Sequence, residues 1–234
     1  DEVRISNIAR TPEEIKLDAG RRPYGVYTSD VQNLTSNVSS INNLRWTENG
    51  VQTGDGETPY STNGLVAGWN FNETSGTTAV STGSCGVTCN GTLTGFASTT
   101  SQDQAVGTGW TKDNRKWGAG ALTFDGSNDY VVAGTNALAT GASATDFTVE
   151  YWANIKSPTT NEVFVLQQAS SPRAGDFVID KTSSGANLYF VRYNGTSNNG
   201  DSIYIPTTGL IGAWHHFVFT ASGGSSGTKK IYVD

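Results

Sequence analysis

The sequence predicts an all-β protein, an antiparallel jelly-roll β-sandwich, and composition is the first observation behind this prediction. The 234 residues include 28 Gly and no Met, with 35% hydrophobic and 15% charged residues. The remainder is rich in Thr, Ser and Asn. Such a composition favours short strands joined by turns over long helices, which are rich in Ala, Leu, Glu, Lys and Met.

The second observation is a series of short apolar runs that begins near residue 64. Phe147–Ile155 alternates between two faces, as a half-buried strand does. Turn dipeptides such as Asn90-Gly91 and Asp125-Gly126 separate several runs and supply residues that tolerate positive φ. Many short strands without intervening helices indicate an antiparallel sandwich. The predicted strands are Leu65–Phe71, Ala121–Phe124, Tyr130–Ala133, Phe147–Ile155, Val163–Gln167, Phe177–Asp180, Leu188–Tyr193, Ser202–Ile205, Trp214–Thr220 and Lys229–Val233.

The first residues predict one further strand and a short helix. Val3 and Ile5 alternate with polar residues, which is typical of a strand over Asp1–Ile8. Thr11 and Glu14 have the spacing of a capping box around Pro12, so one or two helical turns should end near residue 20.

The chain divides into three predicted parts. Residues 1–20 hold the strand and helix, which we assign to a preceding or neighbouring domain. Residues 21–63 form a polar connector with candidate strands at Val26–Thr28 and Leu44–Thr47, but with too little apolar material for a core of its own. Residues 64–234 form a jelly roll that lacks its last strands.

Charge and hydropathy exclude two classes of partner. With 15 basic and 21 acidic side chains, the net charge is -6, which disfavours a phosphate backbone. No apolar run approaches the roughly 18 to 20 residues that span a bilayer. We therefore expect neither nucleic acid nor membrane insertion.

The two cysteines predict a disulfide. Cys85 and Cys89 are separated by three residues, whereas a thioredoxin-type redox pair has two, and a zinc site needs about four ligands. A small disulfide loop in an oxidising compartment fits best, which favours an extracellular or cell-surface location. Sequons give candidate glycosylation sites at Asn33, Asn37, Asn72, Asn90 and Asn194.

Several motifs in sequence order carry a family resemblance. The segments Gly64–Thr78 and Gly118–Val131, with Phe147–Trp152, Trp214–Thr220 and Ile231–Asp234, resemble the laminin G-like, concanavalin A-like lectin/glucanase jelly-roll domains. The resemblance covers roughly residues 64 to 234 and implies the same sandwich.

The order of the motifs departs from that family at one point. Asp1–Ile15 is similar to the segment that ends such domains, yet here it stands first. This implies a tandem-repeat microbial surface protein cut out of phase. We expect an assembly strand containing Asp1, Val3 and Ile5 to dock on the open sandwich of another copy, by strand addition, and to build a filament. Alternatively, flanking residues complete the sandwich.

An oxygen-rich turn is the candidate metal site. Asp125, Asn128 and Asp129 supply two or three of the six to eight oxygens that calcium takes, and Asp1 or Glu2 is a source of others. The resemblance implies calcium as the cofactor. The alternative is a hairpin turn that these side chains stabilise without metal.

Catalytic constellations are weak in this sequence. A glycoside hydrolase needs two facing carboxylates, and Glu150 has none on its strand face. His215 and His216 are adjacent, so on a strand they point to opposite faces and cannot share a ligand. We therefore expect no enzyme.

The predicted function is a non-enzymatic structural or adhesive unit of a repetitive surface protein or filament, whose partners are other copies of itself. The alternative is a calcium-dependent carbohydrate-binding module of a secreted protein. Aromatic residues near loops are candidates for sugar stacking, but they form no convergent cluster in the sequence, so the glycan-binding residues stay unassigned. These candidates are Trp110, Trp117, Tyr193 and Tyr204.

Overall fold

The computed structural model describes residues 2–12, 15, 62–102, 107–116, 118–134, 146–156, 162–167, 176–181, 185–193, 200–223 and 227–234. Within these ranges the chain forms antiparallel sheets, with a 3-10 helix at Gly86–Cys89, and this confirms the all-β prediction. The strands are β1 Val3–Ser6, β2 Leu65–Trp69, β3 Thr78–Ala79, β4 Gly91–Thr94, β5 Gly109–Thr111, β6 Ala121–Thr123, β7 Tyr130–Val132, β8 Phe147–Asn154, β9 Glu162–Gln167, β10 Phe177–Lys181, β11 Asn187–Tyr193, β12 Gly200–Pro206, β13 Trp214–Ser222 and β14 Thr228–Val233.

The larger sheet has five strands in the order β14-β13-β8-β1-β2. Because side chains alternate along a strand, Phe147, Val149 and Tyr151 of β8 face the core, and Thr148 and Glu150 face the opposite side. All five side chains are buried. The outer face of the sheet is therefore buried at β8 as well, where its residues are polar.

The first strand lies in the middle of this sheet. β1 pairs antiparallel with β2 on one side and with β8 on the other, with Arg4 opposite both Gly68 and Glu150. Val3 and Ile5 pack against the core. The strand was expected on another copy, yet it closes the sandwich of its own chain. A linked strand competes with a strand from another copy at an effective concentration that falls as its linker lengthens. Exchange between copies remains a prediction.

The smaller main sheet faces the first across an aromatic core. Its order is β12-β11-β10-β9. The Phe147 ring lies 4.9 Å from Phe177, and the Phe190 ring lies 5.6 Å from Phe219, all four being fully buried. Rings at these separations stabilise a core beyond the area that they bury. The two sheets thus form the predicted sandwich.

Two small sheets of short strands also contribute to the core. β3, β4 and β7 form one sheet, and β5 with β6 forms another. Trp110 of β5 is 1% exposed, and its Nε1 donates to the Gly76 carbonyl at 2.7 Å. The Trp69 Nε1 donates to the Cys89 carbonyl at 2.9 Å. Both indoles are core residues whose polar edge is satisfied.

The predicted helix is described only in part. The Ile15 amide donates to the Thr11 carbonyl at 3.1 Å, and Ile15 is buried. Glu14, the predicted capping-box partner of Thr11, lies outside the described residues, as do residues 13 and 16–61. The boundaries of the three predicted parts therefore remain predictions.

Candidate functional site

The outer face of the four-stranded sheet presents exposed aromatic rings. In the registered pairs, Asp180 lies opposite Tyr189, and Tyr189 lies opposite Tyr204, so the three side chains form a row across β10, β11 and β12. The two tyrosine rings lie 5.2 Å apart at an interplanar angle of 38°. Tyr204 is 59% exposed. We call the outward side chains of β9 to β12 the tyrosine face.

The alternation along each strand defines the other members of this face. Val163 continues the row onto β9, so the row is four strands, or roughly 14 Å, wide at the usual strand spacing. The Asn187 Nδ2 donates to the Tyr189 hydroxyl at 3.4 Å. The full tyrosine face comprises Val163, Leu166, Val178, Asp180, Asn187, Tyr189, Val191, Tyr193, Ser202, Tyr204 and Pro206.

The electrostatics of the tyrosine face are set by Asp180. Burial raises the pKa of this carboxyl above its ordinary value. Within the described part of the chain, the other outward residues of β9 to β12 are uncharged. The surface is therefore apolar and hydroxyl-rich, with one carboxylate. Such a mixture suits a polar ligand that also has flat apolar surfaces.

Sequence reasoning assigned this face only in part. Tyr193 and Tyr204 do lie on it, but Trp110 is buried in the core and cannot stack on a ligand. Trp117 lies outside the described residues. Tyr189 and Asn187 were missed, although Asn187, Tyr189, Val191 and Tyr193 alternate with a buried set along one strand. Which strands lie side by side determines the cluster, and only the fold supplies that.

A second cluster is buried on the outer face of the five-stranded sheet. Glu150, 2% exposed, has Arg4 Nη1 at 3.5 Å, Arg10 Nε at 3.8 Å and His216 Nε2 at 3.6 Å. The Arg4 Nε also bonds the Glu2 carboxylate at 2.8 Å. Two arginines balance two glutamates here. The cluster joins the first residues of the chain to β8 and β13.

This buried cluster does not resemble a catalytic centre. Its groups are almost fully covered, so a substrate has no route to Glu150. The Arg10 amide donates to the Thr148 hydroxyl at 3.0 Å, and that hydroxyl donates to the Ile8 carbonyl at 2.7 Å. These bonds hold the segment after β1 over the sheet. The arrangement is a structural clamp.

The histidines point to opposite sides, as predicted. His216 is buried, stacking on Trp152 at 5.1 Å, while the His215 Nδ1 lies 2.6 Å from the Asp234 Oδ2. Burial raises the pKa of Asp234, but hydrogen bonds from His215 and from the His216 amide outweigh it and leave that pKa below its usual range. The two imidazoles share no ligand.

The oxygen-rich turn is held by its own side chains. The Asp125 Oδ1 accepts from the Ser127 amide at 2.7 Å and the Asn128 amide at 3.3 Å. The Asp129 Oδ2 accepts from the Asp125 amide at 2.9 Å. Asp1 or Glu2 was expected to add a ligand; Glu2 bonds Arg4 instead, and Asp1 lies outside the described residues.

These donors fit calcium poorly. The three side chains of the turn fall short of the six to eight oxygens that the ion takes, and one oxygen of each carboxylate already closes the turn. The described residues contain no cluster of three His, Cys, Asp or Glu placed to hold a metal ion. Calcium binding stays a prediction.

The predicted disulfide is present. Cys85 and Cys89 are bonded across the 3-10 helix with a Cα–Cα distance of 5.8 Å, and Cys89 is fully buried. The bridge therefore braces the loop beneath which Trp69 packs. Among the described residues, no helix has the length and apolar character that crossing a membrane requires.

Two sequon asparagines have structural bonds. The Asn72 Oδ1 accepts from the Ala119 amide at 2.8 Å, and the Asn90 Oδ1 accepts from the Ser81 amide at 3.0 Å. Both side chains thus tie loops to the sheet edges. Whether they carry glycans stays a prediction. The sequons at Asn33, Asn37 and Asn194 lie outside the described residues.

Comparison with protein families supports the resemblance. Residues 125–234 match the Laminin_G_3 family, described as the concanavalin A-like lectin/glucanases superfamily. The match covers β7 to β14 and hence the whole tyrosine face. Neither the curated proteins nor the solved structures contain a match to the chain.

Proposed function

Taking residues 125–234 as a concanavalin A-like lectin/glucanase domain, we propose that the chain is a non-catalytic, extracellular β-sandwich that binds carbohydrate on its tyrosine face. The observation that carries this proposal is the outward row of Asp180, Tyr189 and Tyr204, of which Tyr204 is exposed and the other two are half-buried. Sugar rings have apolar faces that stack on aromatic rings and hydroxyl edges that need hydrogen-bond partners. The row offers both on one surface.

The proposed cellular location rests on the disulfide. The Cys85–Cys89 bond persists in oxidising compartments, which favours an extracellular or cell-surface protein. A carbohydrate-binding sandwich in that setting is an adhesive unit. Its binding surface lies on strands rather than loops, so the rings are held in fixed positions.

We propose a non-catalytic protein because the described tyrosine face lacks a pair of carboxylates. Hydrolysis of a glycosidic bond uses a pair of carboxyl groups about 5 to 5.5 Å apart, or somewhat farther apart for inversion. On the described tyrosine face, Asp180 is the one carboxylate. Glu150 lies on the other sheet and is buried under arginines. One carboxylate binds a sugar but does not complete the acid–base pair.

A glycan array followed by calorimetry tests the proposal. Replacement of Tyr204 by Ala should raise the Kd of the selected glycan about ten-fold, because a stacking ring is lost. This is a loss of ~1.4 kcal/mol in binding free energy. Tyr130→Ala is the matched control, since Tyr130 is 52% exposed on a different sheet. Tyr204→Phe should retain most affinity. Equal losses for Tyr204→Ala and Tyr130→Ala, or no glycan bound, would contradict the proposal.

A second candidate function is assembly by strand exchange, which the central place of β1 favours. The strand is separated from β2 by residues 7–64, and it pairs on both of its edges. A segment so joined can occupy the same slot in a neighbouring copy, giving a structural filament. Because a linked strand competes with strands from other copies, exchange should need crowded copies, such as repeats on one surface.

Cross-linking distinguishes a β1 strand docked in its own chain from one docked in another copy. Ser6 lies opposite Thr148, so Ser6→Cys with Thr148→Cys places two thiols across the β1–β8 pair. After refolding and oxidation, dilute protein should give monomers on a denaturing gel, and protein near millimolar concentration should give a ladder. Calcium chelation should leave the ladder unchanged. Monomers at every concentration would sink the exchange hypothesis.

A further inference from the structure

We infer that the tyrosine face selects neutral or amine-bearing glycans and rejects glycans that carry uronate or sulfate groups, with Asp180 as the specificity-determining residue. This inference rests on the proposed carbohydrate binding and names the class of ligand. It follows from where the charged side chains of the four-stranded sheet point.

The basic side chains of this sheet face away from the ligand surface. Lys181 lies on the inward side of β10, buried with its Nζ 3.8 Å from the Glu162 carboxylate. Arg192 is likewise inward and buried, with its guanidinium 5.2 Å from the centre of the Phe147 ring. Neither cation can reach an anion that lies on the outer face.

A third cation lies at the rim and is already paired. The Lys229 Nζ of β14 donates to the Asp201 carboxylate of β12 at 2.6 Å. Asp201 sits opposite Arg192, two positions along β12 from the inward Ile203, and so belongs to the rim rather than to the tyrosine face. Within the described residues, no unpaired basic group borders Tyr204 and Tyr189.

The carboxylate itself is placed to sort ligands by charge. Asp180 lies directly opposite Tyr189, so a sugar stacked on the tyrosines has an edge beside the carboxylate. Within the described part of the chain, no hydrogen bond or ion pair engages Asp180, which leaves its oxygens for ligand hydroxyls or an ammonium group. A ligand carboxylate or sulfate there would meet a like charge at close range, where salt screens weakly.

The charge of the whole chain acts in the same direction. The net charge of -6 slows the approach of polyanionic glycans and favours cationic ones. Burial raises the pKa of Asp180 because the carboxylate is partly removed from water. A ligand hydroxyl or ammonium beside it therefore stabilises the carboxylate more than it would in open solvent.

Three oligosaccharides of equal length with one shared backbone provide the test: a cello-oligosaccharide, a chitosan oligosaccharide and a glucuronan oligosaccharide. At fixed salt, the chitosan and cello-oligosaccharide chains should bind the wild-type protein at least about ten-fold more tightly than the glucuronan chain. In Asp180→Asn, chitosan should bind no more tightly than the cello-oligosaccharide. The Kd of glucuronan should come within about three-fold of the Kd of the cello-oligosaccharide. Asp113→Asn makes the same charge change at an exposed site elsewhere and should change nothing.

Failure of the inference and failure of the proposed function give different results. If glucuronan binds as tightly as the neutral chain, and Tyr204→Ala still weakens both, the specificity inference is overturned while carbohydrate binding stands. If Asp180→Asn and Asp113→Asn shift the charge preference equally, the role of Asp180 is overturned. If no chain binds, or if binding ignores Tyr204→Ala, the proposed function fails and the inference with it.

Discussion

Among single residues, Glu150 has the most demanding environment. It is an acidic side chain buried on a central strand, and it is tolerable there because Arg4, Arg10 and His216 surround it. Two of these partners come from the first ten residues of the chain. Glu150 therefore links the stability of the sheet to the docking of β1.

Replacing Glu150 by Gln should be strongly destabilising. The substitution leaves two buried arginines short of a counter-charge, a situation that typically costs about 3 to 5 kcal/mol. Urea denaturation measures the change in free energy of unfolding. Asp113→Asn, which removes an exposed carboxylate, should lie within about 0.5 kcal/mol of wild type. Similar costs for the two variants would show that the cluster is not a clamp.

Replacing Asp180, unlike replacing Glu150, should stabilise the protein, because burial raises the pKa of Asp180 in the folded state. The folded state then binds more protons than the unfolded state above the ordinary carboxyl pKa of about 3.9, so stability falls as pH rises through the folded pKa. Asp180→Asn should therefore be more stable than wild type at neutral pH, and this gain should vanish below about pH 4.

Urea denaturation at the two pH values checks this prediction, with Asp113→Asn as the variant in which no pH-dependent gain is expected. A gain of stability in Asp180→Asn is typical of a residue kept for binding rather than for folding. A loss at neutral pH would show instead that the carboxylate stabilises the fold, and it would weaken its assignment as a binding residue.

Residue roles were predictable where local chemistry decided them. The spacing of Cys85 and Cys89 was enough for the disulfide, and adjacency on a strand was enough to separate His215 from His216. The burial of Trp110 was not predictable, because its position near turns resembles that of an exposed ring. Its indole N–H finds the Gly76 carbonyl, 34 residues away, through tertiary packing.

At the scale of elements, β1 is the strand that completes the larger sheet. It contributes Ile5 to the core and Arg4 to the buried cluster, so apolar and ionic contacts fix it on opposite faces. The pairing of Arg4 with Glu150 also sets the register, since a slip of one residue would place Arg4 in the core.

Ile5→Ala should destabilise the whole sandwich. The side chain is 5% exposed, and a buried Ile→Ala change typically costs about 2 to 5 kcal/mol through lost burial and a residual cavity. Thermal or urea unfolding should show one transition with a lower midpoint. Val87→Ala removes methyl groups from a side chain that is 80% exposed and should lie within about 0.5 kcal/mol of wild type. An unaffected midpoint for Ile5→Ala would mean that β1 is not part of the cooperative fold.

Strand prediction succeeded where apolar alternation was strong. Each of the ten predicted runs from Leu65 to Val233 overlaps a strand of the structure. The strands that were missed, β3, β4 and β5, are short and rich in Thr and Gly, so they carry little periodic signal. Their pairing depends on neighbours that bring them together, such as β7 beside β4.

For the whole molecule, the two sheets have different outer faces. The centre of the five-stranded sheet carries a buried charged cluster on its outer face, whereas the four-stranded sheet leaves Tyr204, Val163 and Leu166 exposed on its outer face. This contrast is why we place the proposed binding surface on the second sheet. The sandwich itself was predictable from alternation and turn residues, but the row across three strands was not, because register between distant segments is a property of the fold.

Nuclear magnetic resonance of protein labelled in its tyrosine rings tests the central claim most directly. Titration with the neutral glycan selected on the array should shift the ring resonances of Tyr189 and Tyr204, assigned from Tyr→Phe variants, and leave those of Tyr130 in place. Shifts confined to Tyr130, or none at any tyrosine while the glycan is bound, would contradict carbohydrate recognition by this sheet.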